Sequence, residues 1–183
     1  HTFSARWKYP SPKEKLGEGA FSEVFLVINK KTGMKCAAKV MKKSKMNKDD
    51  VKCVHEEVRI MRQLQHPNIV KFVDLFDETD YMYVILEFLE GGALFDRVVD
   101  KDHYNERDAR DLVFIFLSSL KFCHDRDIIH RDIKPENLLM SSPTDDASVK
   151  IADFGLSIHL PGKELCMHAC GTPNYIAPEM IFK

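Results

Sequence analysis

The feature that most restricts the fold of this chain is a glycine-rich turn followed by a strand. The turn is Gly17-Glu-Gly-Ala-Phe-Ser22, which fits the phosphate-binding pattern G-x-G-x-x-G at two of its three glycines. Residues 21–28 are rich in β-branched and aromatic side chains, which predicts a strand. Dinucleotide-binding loops and P-loops instead lead into a helix whose N-terminus holds phosphate, and no Gly-Lys-Ser/Thr sequence follows here. Both of those folds are excluded, and an ordinary glycine turn remains the alternative for this segment alone.

Periodic patterns predict the elements that follow the turn. Further strands are predicted at residues 35–41, 69–77 and 81–88. Residues 48–64 repeat apolar side chains at intervals of three and four, which predicts an amphipathic helix. A second long helix is predicted at residues 105–124; it is apolar around most of its circumference, so we expect it to be buried.

Chain-breaking residues divide the sequence into three parts. Residues 1–12 contain Pro10 and Pro12 and are predicted to form an irregular lead-in. The pair Gly91-Gly92 interrupts the periodic patterns further along and marks a boundary. We therefore predict a strand-rich first part at residues 13–89 and a second part, beginning with helix, at residues 90–183.

Composition narrows the class of protein without identifying it. The 183 residues carry 27 Lys and Arg against 28 Asp and Glu, and this net charge of −1 argues against a general nucleic-acid binder. The longest apolar run covers residues 112–117, far short of the roughly 20 residues that span a membrane. We therefore expect neither a nucleic acid nor a membrane as a partner.

The five cysteines bear on the compartment of the protein. Their odd number and irregular spacing fit reduced thiols inside a cell better than a disulfide framework, so we expect a cytoplasmic protein, with the nucleus left open. Cys166, His168 and Cys170 would share one face of an extended segment and are zinc-type ligands. No second pair follows at ligand spacing, so a loop with reduced thiols is the favoured interpretation.

Further motifs follow in order along the chain. They are the run Ile129-His-Arg-Asp-Ile-Lys-Pro-Glu-Asn137, then Asp153-Phe-Gly155, then Ala177-Pro-Glu179. Upstream of them, Lys39 lies in a predicted strand and Glu57 lies close to the apolar stripe of the predicted helix. An inward-facing carboxylate at that position needs a cation, and Lys39 is a candidate. A solvated surface pair is the alternative for these two residues taken alone.

With the glycine-rich hairpin, these motifs resemble those of the eukaryotic protein kinases over nearly the whole chain. Lys134, two residues after Asp132, resembles the serine/threonine branch of that family. The segments at residues 66–70, 90–97 and 171–179 are most similar to the calcium/calmodulin-dependent kinase group.

The resemblance implies an α+β, two-lobed fold. Its first lobe would hold five antiparallel strands and one helix, and its second lobe would be mainly helical. In the family, several more helices follow the Ala-Pro-Glu motif, so we expect a partial second lobe with exposed apolar surface on the helix at residues 105–124. We also expect the chain alone to be poorly soluble or marginally stable.

The activity implied by the resemblance is ATP-dependent transfer of the γ-phosphoryl group to Ser or Thr hydroxyls of protein substrates, with Mg²⁺. By resemblance, Asp132 accepts the hydroxyl proton, Lys134 steadies the γ-phosphate, and Lys39 contacts the α- and β-phosphates. The implied catalytic residues are Asp132, Lys134, Lys39 and Glu57, the metal ligands are Asn137 and Asp153, and the nucleotide-binding residues are Leu16, Gly17, Glu18, Gly19, Val24, Ala37, Lys39, Glu87, Leu89 and Leu139.

Further apolar positions also match the family. Leu86 would close the back of the nucleotide pocket. Met61, Phe72, His130 and Phe154 match a stack that active members assemble, and ordinary core packing is the alternative for these four residues.

Three positions depart from the family pattern. Ser22 replaces the third glycine, which related kinases tolerate. Ala93 replaces a Glu that attracts a substrate arginine, which argues against a strong preference for arginine three residues before the target, although Glu136 offers another carboxylate. His168 stands where activatable relatives carry a Thr, so we hypothesise that phosphorylation at this position does not activate the protein.

Two alternatives to an active kinase stay open. One is a nucleotide-binding pseudokinase or scaffold, and the other is an inactive kinase fragment. Pseudokinases typically lose the equivalents of Lys39, Asp132 or Asp153, and all three are present here, which favours an enzyme. Calmodulin is a candidate partner by resemblance, through a region that this sequence does not contain.

Overall fold

The computed structural model describes residues 2–19, 21–100, 104–162 and 170–181. Its contacts divide the chain into two compact units, His1–Val58 with Lys71–Phe88 and Arg59–Val70 with Leu89–Lys183. Residues 59–70 group with the second unit because they are bonded to it: the Val70 N–H donates to the Ile151 carbonyl, and the Asn68 side chain donates to the carbonyls of Ala147 and Val149.

The first unit is built on an antiparallel sheet. Its elements are α1 (Phe3–Arg6), β1 (Trp7–Lys8), β2 (Lys15–Glu18), β3 (Ser22–Asn29), β4 (Lys35–Lys42), most of α2 (Lys48–Met61), β5 (Phe72–Asp77) and β6 (Tyr81–Glu87). The strands lie in the order β1-β3-β4-β6-β5, and β2 lies beside β3. The predicted antiparallel sheet with one long helix is confirmed, but the sheet has six strands and not five.

The additional strand lies in the segment that was predicted to be an irregular lead-in, and that prediction was wrong. Trp7 pairs with Asn29 and Lys8 pairs with Ile28, both on β3. Pro10 and Pro12 do break the chain, but they follow this strand. Trp7 is almost completely buried, and the burial of so large an apolar side chain stabilises the segment on the sheet.

The sheet buries both of its faces, because successive side chains of each strand point to opposite sides. One face packs against the N-terminal segment, through Phe3, Trp7, Val27, Cys36, Ala38, Phe76 and Ile85. The other face packs against α2, through Met41, Val54, Val58, Met82 and Val84. The predicted apolar stripe of the helix therefore contacts the sheet.

The helix α2 begins and ends where its side chains and hydrogen bonds dictate. The Asn47 side chain accepts bonds from the N–H groups of Asp49 and Asp50, which caps the first turn. The helix was predicted to reach residue 64, but it ends at Met61. The N–H of Leu64 donates to the Met61 carbonyl, so the last turn tightens to a three-residue spacing ahead of Pro67.

The second unit contains helices and short strand pairs. Its elements are α3 (Leu94–Asp100), α4 (Glu106–His124), β7 (Ile128–Ile129), β8 (Leu138–Met140), β9 (Val149–Ile151), β10 (Ile158–His159) and α5 (Pro178–Ile181). β7 pairs with β10, and β8 pairs with β9. Gly91 donates its N–H to Met140, and a Cβ at Gly91 would lie 2.5 Å from the Met140 Cβ, so no larger residue fits there without movement.

The helix α4 is not buried as its composition predicted. Among its side chains Ser119 and Cys123 are buried, whereas Phe114 is 71% exposed and Val113 and Leu117 are about half exposed. The packing of α4 within the unit is against β7, β9 and the turn at Asp146–Ser148, which uses one side of the helix. The expectation of exposed apolar surface on this helix is confirmed. None of the described helices is long and apolar enough to cross a membrane.

Candidate active site

In the first unit, Lys39 and Glu57 form the predicted ion pair. Lys39 lies on β4 and Glu57 on α2, and the Lys39 Nζ is 2.8 Å from one carboxylate oxygen and 3.1 Å from the other. The side chain of Glu57 is 5% exposed and that of Lys39 is 19% exposed. A solvated surface pair is therefore ruled out, because the carboxylate is almost completely withdrawn from water.

The register of the sheet places two predicted nucleotide contacts of this unit, Val24 and Ala37, and the predicted back-wall residue Leu86 on the same face as Lys39. Val24 is the cross-strand partner of Lys39, and Leu86 is the partner of Ala37. Opposed residues share a face, and Ala37 and Lys39 are two residues apart on one strand, so all four side chains leave the sheet on one side.

The glycine-rich turn joins β2 to β3. Gly17 and Glu18 lie in β2, and the Gly19 N–H donates to the Ser22 carbonyl at 2.8 Å, which closes the turn. The predicted nucleotide contact Leu16 lies at an irregularity in the pairing of β2 with β3. No heavy atom lies within 4 Å of the position that a Cβ would take at Gly17, so the backbone there is accessible to a ligand.

The segment after β6 carries the other predicted nucleotide contacts. Glu87 ends β6, and its N–H donates to the Lys71 carbonyl at 2.9 Å. The N–H is therefore engaged, and the Glu87 carbonyl oxygen is the backbone group that could accept a hydrogen bond from a nucleobase. Leu89 and Leu139 belong to the second unit, where Leu139 on β8 forms a bridge with Ala93.

In the second unit, three side chains converge on the carboxylate of Asp132. The Thr172 hydroxyl donates to Oδ1 at 2.6 Å, and the Lys134 Nζ lies 3.0 Å from Oδ2. The Asn137 amide donates to the Asp132 carbonyl at 2.8 Å and to Oδ2 at 3.2 Å. Lys134 also donates to the Thr172 oxygen at 2.9 Å, so Asp132, Lys134 and Thr172 each contact the other two.

This arrangement keeps Asp132 ionised. Burial by itself would raise the pKa of the carboxyl, but the bonds from Thr172 and Lys134 outweigh it, and the net pKa lies below the ordinary value. The group can therefore orient a hydroxyl and accept its proton late in a reaction, when that proton has become acidic.

His130 supports the loop from within. The Asp132 N–H donates to the Nδ1 of His130, so the other ring nitrogen carries the proton and donates to the Ala152 carbonyl at 3.0 Å. Burial lowers the pKa of this imidazole, which fits the neutral form. The ring packs edge-on against Phe154, with 4.8 Å between ring centroids. Two predicted members of the apolar stack therefore meet, whereas Met61 and Phe72 lie in different units.

Asn137 and Asp153 are brought together by the β8–β9 pair. Asn137 directly precedes β8, and Asp153 follows the end of β9; Leu138 opposes Ile151, and the Ala152 N–H donates to the Asn137 carbonyl at 2.9 Å. Asp153 has a φ of 57°, a strained conformation of the kind found at functional sites.

The donor set at Asn137 and Asp153 fits Mg²⁺. The Asn137 nitrogen is used by Asp132, which leaves its amide oxygen for a metal, and Asp153 adds a carboxylate. Mg²⁺ prefers oxygen ligands and commonly takes one or two from the protein and the rest from phosphates and water. Within the described ranges no group of three or more His, Cys, Asp or Glu could hold a metal. Cys166 and His168 of the zinc candidate lie outside the described residues.

Two contacts in this unit were not predicted from the sequence. The Arg131 Nε donates to the Leu156 carbonyl at 2.6 Å, and the Ser157 hydroxyl donates to the His130 carbonyl at 3.3 Å. Both join the loop at residues 129–137 to the segment after Asp153, more than 20 residues away. No local sequence pattern predicts pairings over that distance. A cavity of about 370 Å³ opens beside Asp132, and its wall includes Ile129, Ile133, Cys170, Thr172, Tyr175 and Ile176.

A family model of the protein kinase domain matches residues 11–183. The chain therefore belongs to the protein kinase domain family, and the predicted fold class is confirmed with it.

Similar proteins narrow the group. The chain is 46% identical over 170 residues to myosin light chain kinase A of Dictyostelium discoideum, an overlap that covers 92% of this chain and 57% of that protein. It is 43% identical over 171 residues to calcium/calmodulin-dependent protein kinase type 1 of Macrobrachium nipponense, covering 92% and 49%. It is 42% identical over 171 residues to calcium/calmodulin-dependent protein kinase type II of Caenorhabditis briggsae, covering 93% and 32%. The predicted resemblance to the serine/threonine kinases of this group is confirmed, and the chain spans about half the length of these relatives or less.

Proposed function

We propose that the protein is an ATP-dependent serine/threonine protein kinase, and that this chain carries its catalytic machinery. The observation that carries the proposal is the ionised Asp132, which is held by Thr172, Lys134 and Asn137 beside an open cavity. A phosphoryl-transfer site needs a carboxylate to orient the attacking hydroxyl and cations to neutralise the transferred group. Asp132 and Lys134 supply both.

Of the remaining residues, some would bind the phosphates of ATP and others the metal ion. Lys39, fixed by Glu57, presents its ammonium group to the α- and β-phosphates, and the backbone at Gly17 and Gly19 covers them. Asn137 and Asp153 would hold Mg²⁺, which would neutralise phosphate charge at this site. Thr172 and Asn137 fix the direction of the Asp132 carboxylate, so that its proton acceptor faces a substrate hydroxyl without prior rearrangement.

The experiment is phosphoryl transfer by the full-length protein from labelled ATP to a Ser/Thr peptide library with Mg²⁺. We expect Asp132→Asn to lower the rate by about 10²- to 10⁴-fold, the usual contribution of a positioned acid–base group. ATP binding by the wild type with no transfer to any peptide would instead establish a pseudokinase, the main alternative. Equal rates for the wild type and Asp132→Asn would refute the assigned role of Asp132.

We further propose protein substrates in the cytoplasm and control by calcium/calmodulin. The names of two relatives support the control by calcium/calmodulin, and the four cysteines that are free within the described residues support the cytoplasmic location. Burial raises the pKa of Cys36 and of Cys123 to about 11, so both thiols stay protonated and unreactive. Activity of the full-length protein that does not change on addition of Ca²⁺ and calmodulin would refute the regulatory part.

A further inference from the structure

The hairpin of β2 and β3 carries two carboxylates that directly oppose each other. Glu18 on β2 is the register partner of Glu23 on β3, so both side chains leave the same face. Like charges at opposed positions destabilise a strand pair. Glu18 lies between the two glycines of the turn, and β2 has β3 as its strand neighbour within the described part of the sheet. The repulsion therefore acts on the glycine-rich loop itself.

Lys15 bridges the two carboxylates. Its Nζ is 2.7 Å from a Glu18 oxygen and 2.9 Å from a Glu23 oxygen. In a regular strand, residues three apart point to opposite faces. The register shifts between Lys15 and Gly17, which inserts Leu16 as an extra residue and brings Lys15 to the face of Glu18. The bulge is therefore what allows one lysine to reach both groups.

The bridge shifts the pKa values of Lys15 and Glu23. The hydrogen bonds to Glu18 and then to Glu23 raise the pKa of Lys15. The bond from Lys15 lowers the pKa of Glu23. All three groups are exposed to solvent, so the interaction is weak and is screened by salt.

We propose that Lys15 is a positioning residue for the nucleotide. By neutralising Glu18 and Glu23, whose side chains leave the face opposite to that of Val24 and Lys39, it keeps the glycine-rich loop paired to β3 and so holds the loop backbone in place for a bound triphosphate. The effect on the triphosphate rests on the proposed kinase function. The effect on the hairpin concerns this chain alone and is measurable without nucleotide.

The first test is amide hydrogen exchange of the nucleotide-free, full-length protein. We expect Lys15→Met to raise exchange at residues 15–24 about two- to fivefold, the range of a cross-strand pair, and Lys15→Arg to leave it unchanged. Adding Glu23→Gln to Lys15→Met removes the repulsion and should restore slow exchange. The matched control is Lys52→Met, which breaks an exposed pair with Asp49 of 2.8 Å on α2 and should not affect the hairpin. Unchanged exchange in Lys15→Met, or no recovery in the double variant, would overturn the proposal.

The second test separates the nucleotide from the hairpin. We expect Lys15→Met to raise the ATP KM about threefold at low ionic strength with kcat retained, and the difference to vanish near 1 M salt, where the screening length is about 3 Å. An unchanged KM alongside faster exchange would overturn the positioning role while leaving the hairpin bridge established. A wild type that binds no ATP would refute the proposed kinase function, and the exchange result would still decide the role of Lys15 in the hairpin.

Discussion

Removal of the cation from the Lys39–Glu57 pair is expected to destabilise the protein more than the loss of an exposed ion pair does. Lys39→Met leaves the Glu57 carboxylate 5% exposed without the ammonium group that lies 2.8 Å away. Breaking a fully buried pair costs about 3–5 kcal/mol, and the partial exposure of Lys39 argues for a value of about 2–3 kcal/mol here. For a chain of this size that loss corresponds to a fall in Tm of about 5–10 °C.

The assay is a double-mutant cycle by chemical denaturation, with Lys39→Met, Glu57→Gln and the double variant. The double variant no longer carries a buried unpaired charge, so it should recover part of the loss, with a coupling energy of about 1–2 kcal/mol. The matched control cycle uses Lys52→Met and Asp49→Asn on the exposed face of the same helix, where we expect a coupling energy of at most about 0.5 kcal/mol.

A coupling energy for Lys39 and Glu57 no larger than that of the control cycle would refute the reasoning. It would mean that the pair is effectively solvated in spite of its burial. ATP binding by the same variants then separates the two roles of Lys39: Glu57→Gln keeps the ammonium group but loosens its position, and Lys39→Met removes it. We expect the second change to weaken ATP binding more than the first.

Three further outcomes are expected from single changes. Thr172→Val removes the hydroxyl that donates to Asp132 at 2.6 Å, so kcat should fall about 10- to 100-fold in a steady-state assay. Thr172→Ser keeps the hydroxyl and should restore kcat. An unchanged kcat in Thr172→Val would contradict the role of the hydroxyl. Gly91→Ala places a methyl group 2.5 Å from the Met140 Cβ and should cost about 1–3 kcal/mol in denaturant unfolding, and an unshifted midpoint would show that the site relaxes freely. Burial lowers the pKa of His130 below its usual 6.5, so its contribution to stability is complete above pH 6.5 and is lost as the pH falls through the folded-state pKa. His130→Phe should therefore flatten the dependence of unfolding free energy on pH below 6.5, and a curve parallel to the wild type would contradict this.

Local patterns predicted the elements that have a long, regular period. The strands β3, β4 and β6 were predicted to within a few residues because β-branched and aromatic side chains are concentrated over seven residues or more, and α2 because its apolar side chains recur every three to four residues. The strand β1 was missed because two residues are too few to show such a concentration. The end of α2 was placed too late because the tightening of its last turn depends on backbone bonds that the apolar stripe does not reveal.

The burial of α4 was mispredicted for a different reason. The apolar side chains around α4 indicate that the helix favours an apolar environment. They do not indicate which other elements lie against it. In the structure α4 uses one side for its contacts, and Phe114 on another side is exposed. The burial of a helix depends on the elements that pack against it as well as on its own side chains, so its sequence alone does not determine its burial.

The sequence by itself determined the chemical groups of this protein and their order along the chain. Local patterns predict the glycine turn before a strand, the position of Lys39, and the loop that contains Asp132 and Asn137. Each of these motifs lies within one short segment, so it can be recognised from the order of its residues alone. Only the tertiary structure decided how these groups meet. The register of the sheet sets Val24 beside Lys39, and a bulge turns Lys15 toward two carboxylates. A tertiary contact between segments 40 residues apart brings the Thr172 hydroxyl to the Asp132 carboxylate. Contacts between distant segments depend on the pairing of whole elements, and a one-residue shift in that pairing moves a side chain to the opposite face without changing any local motif.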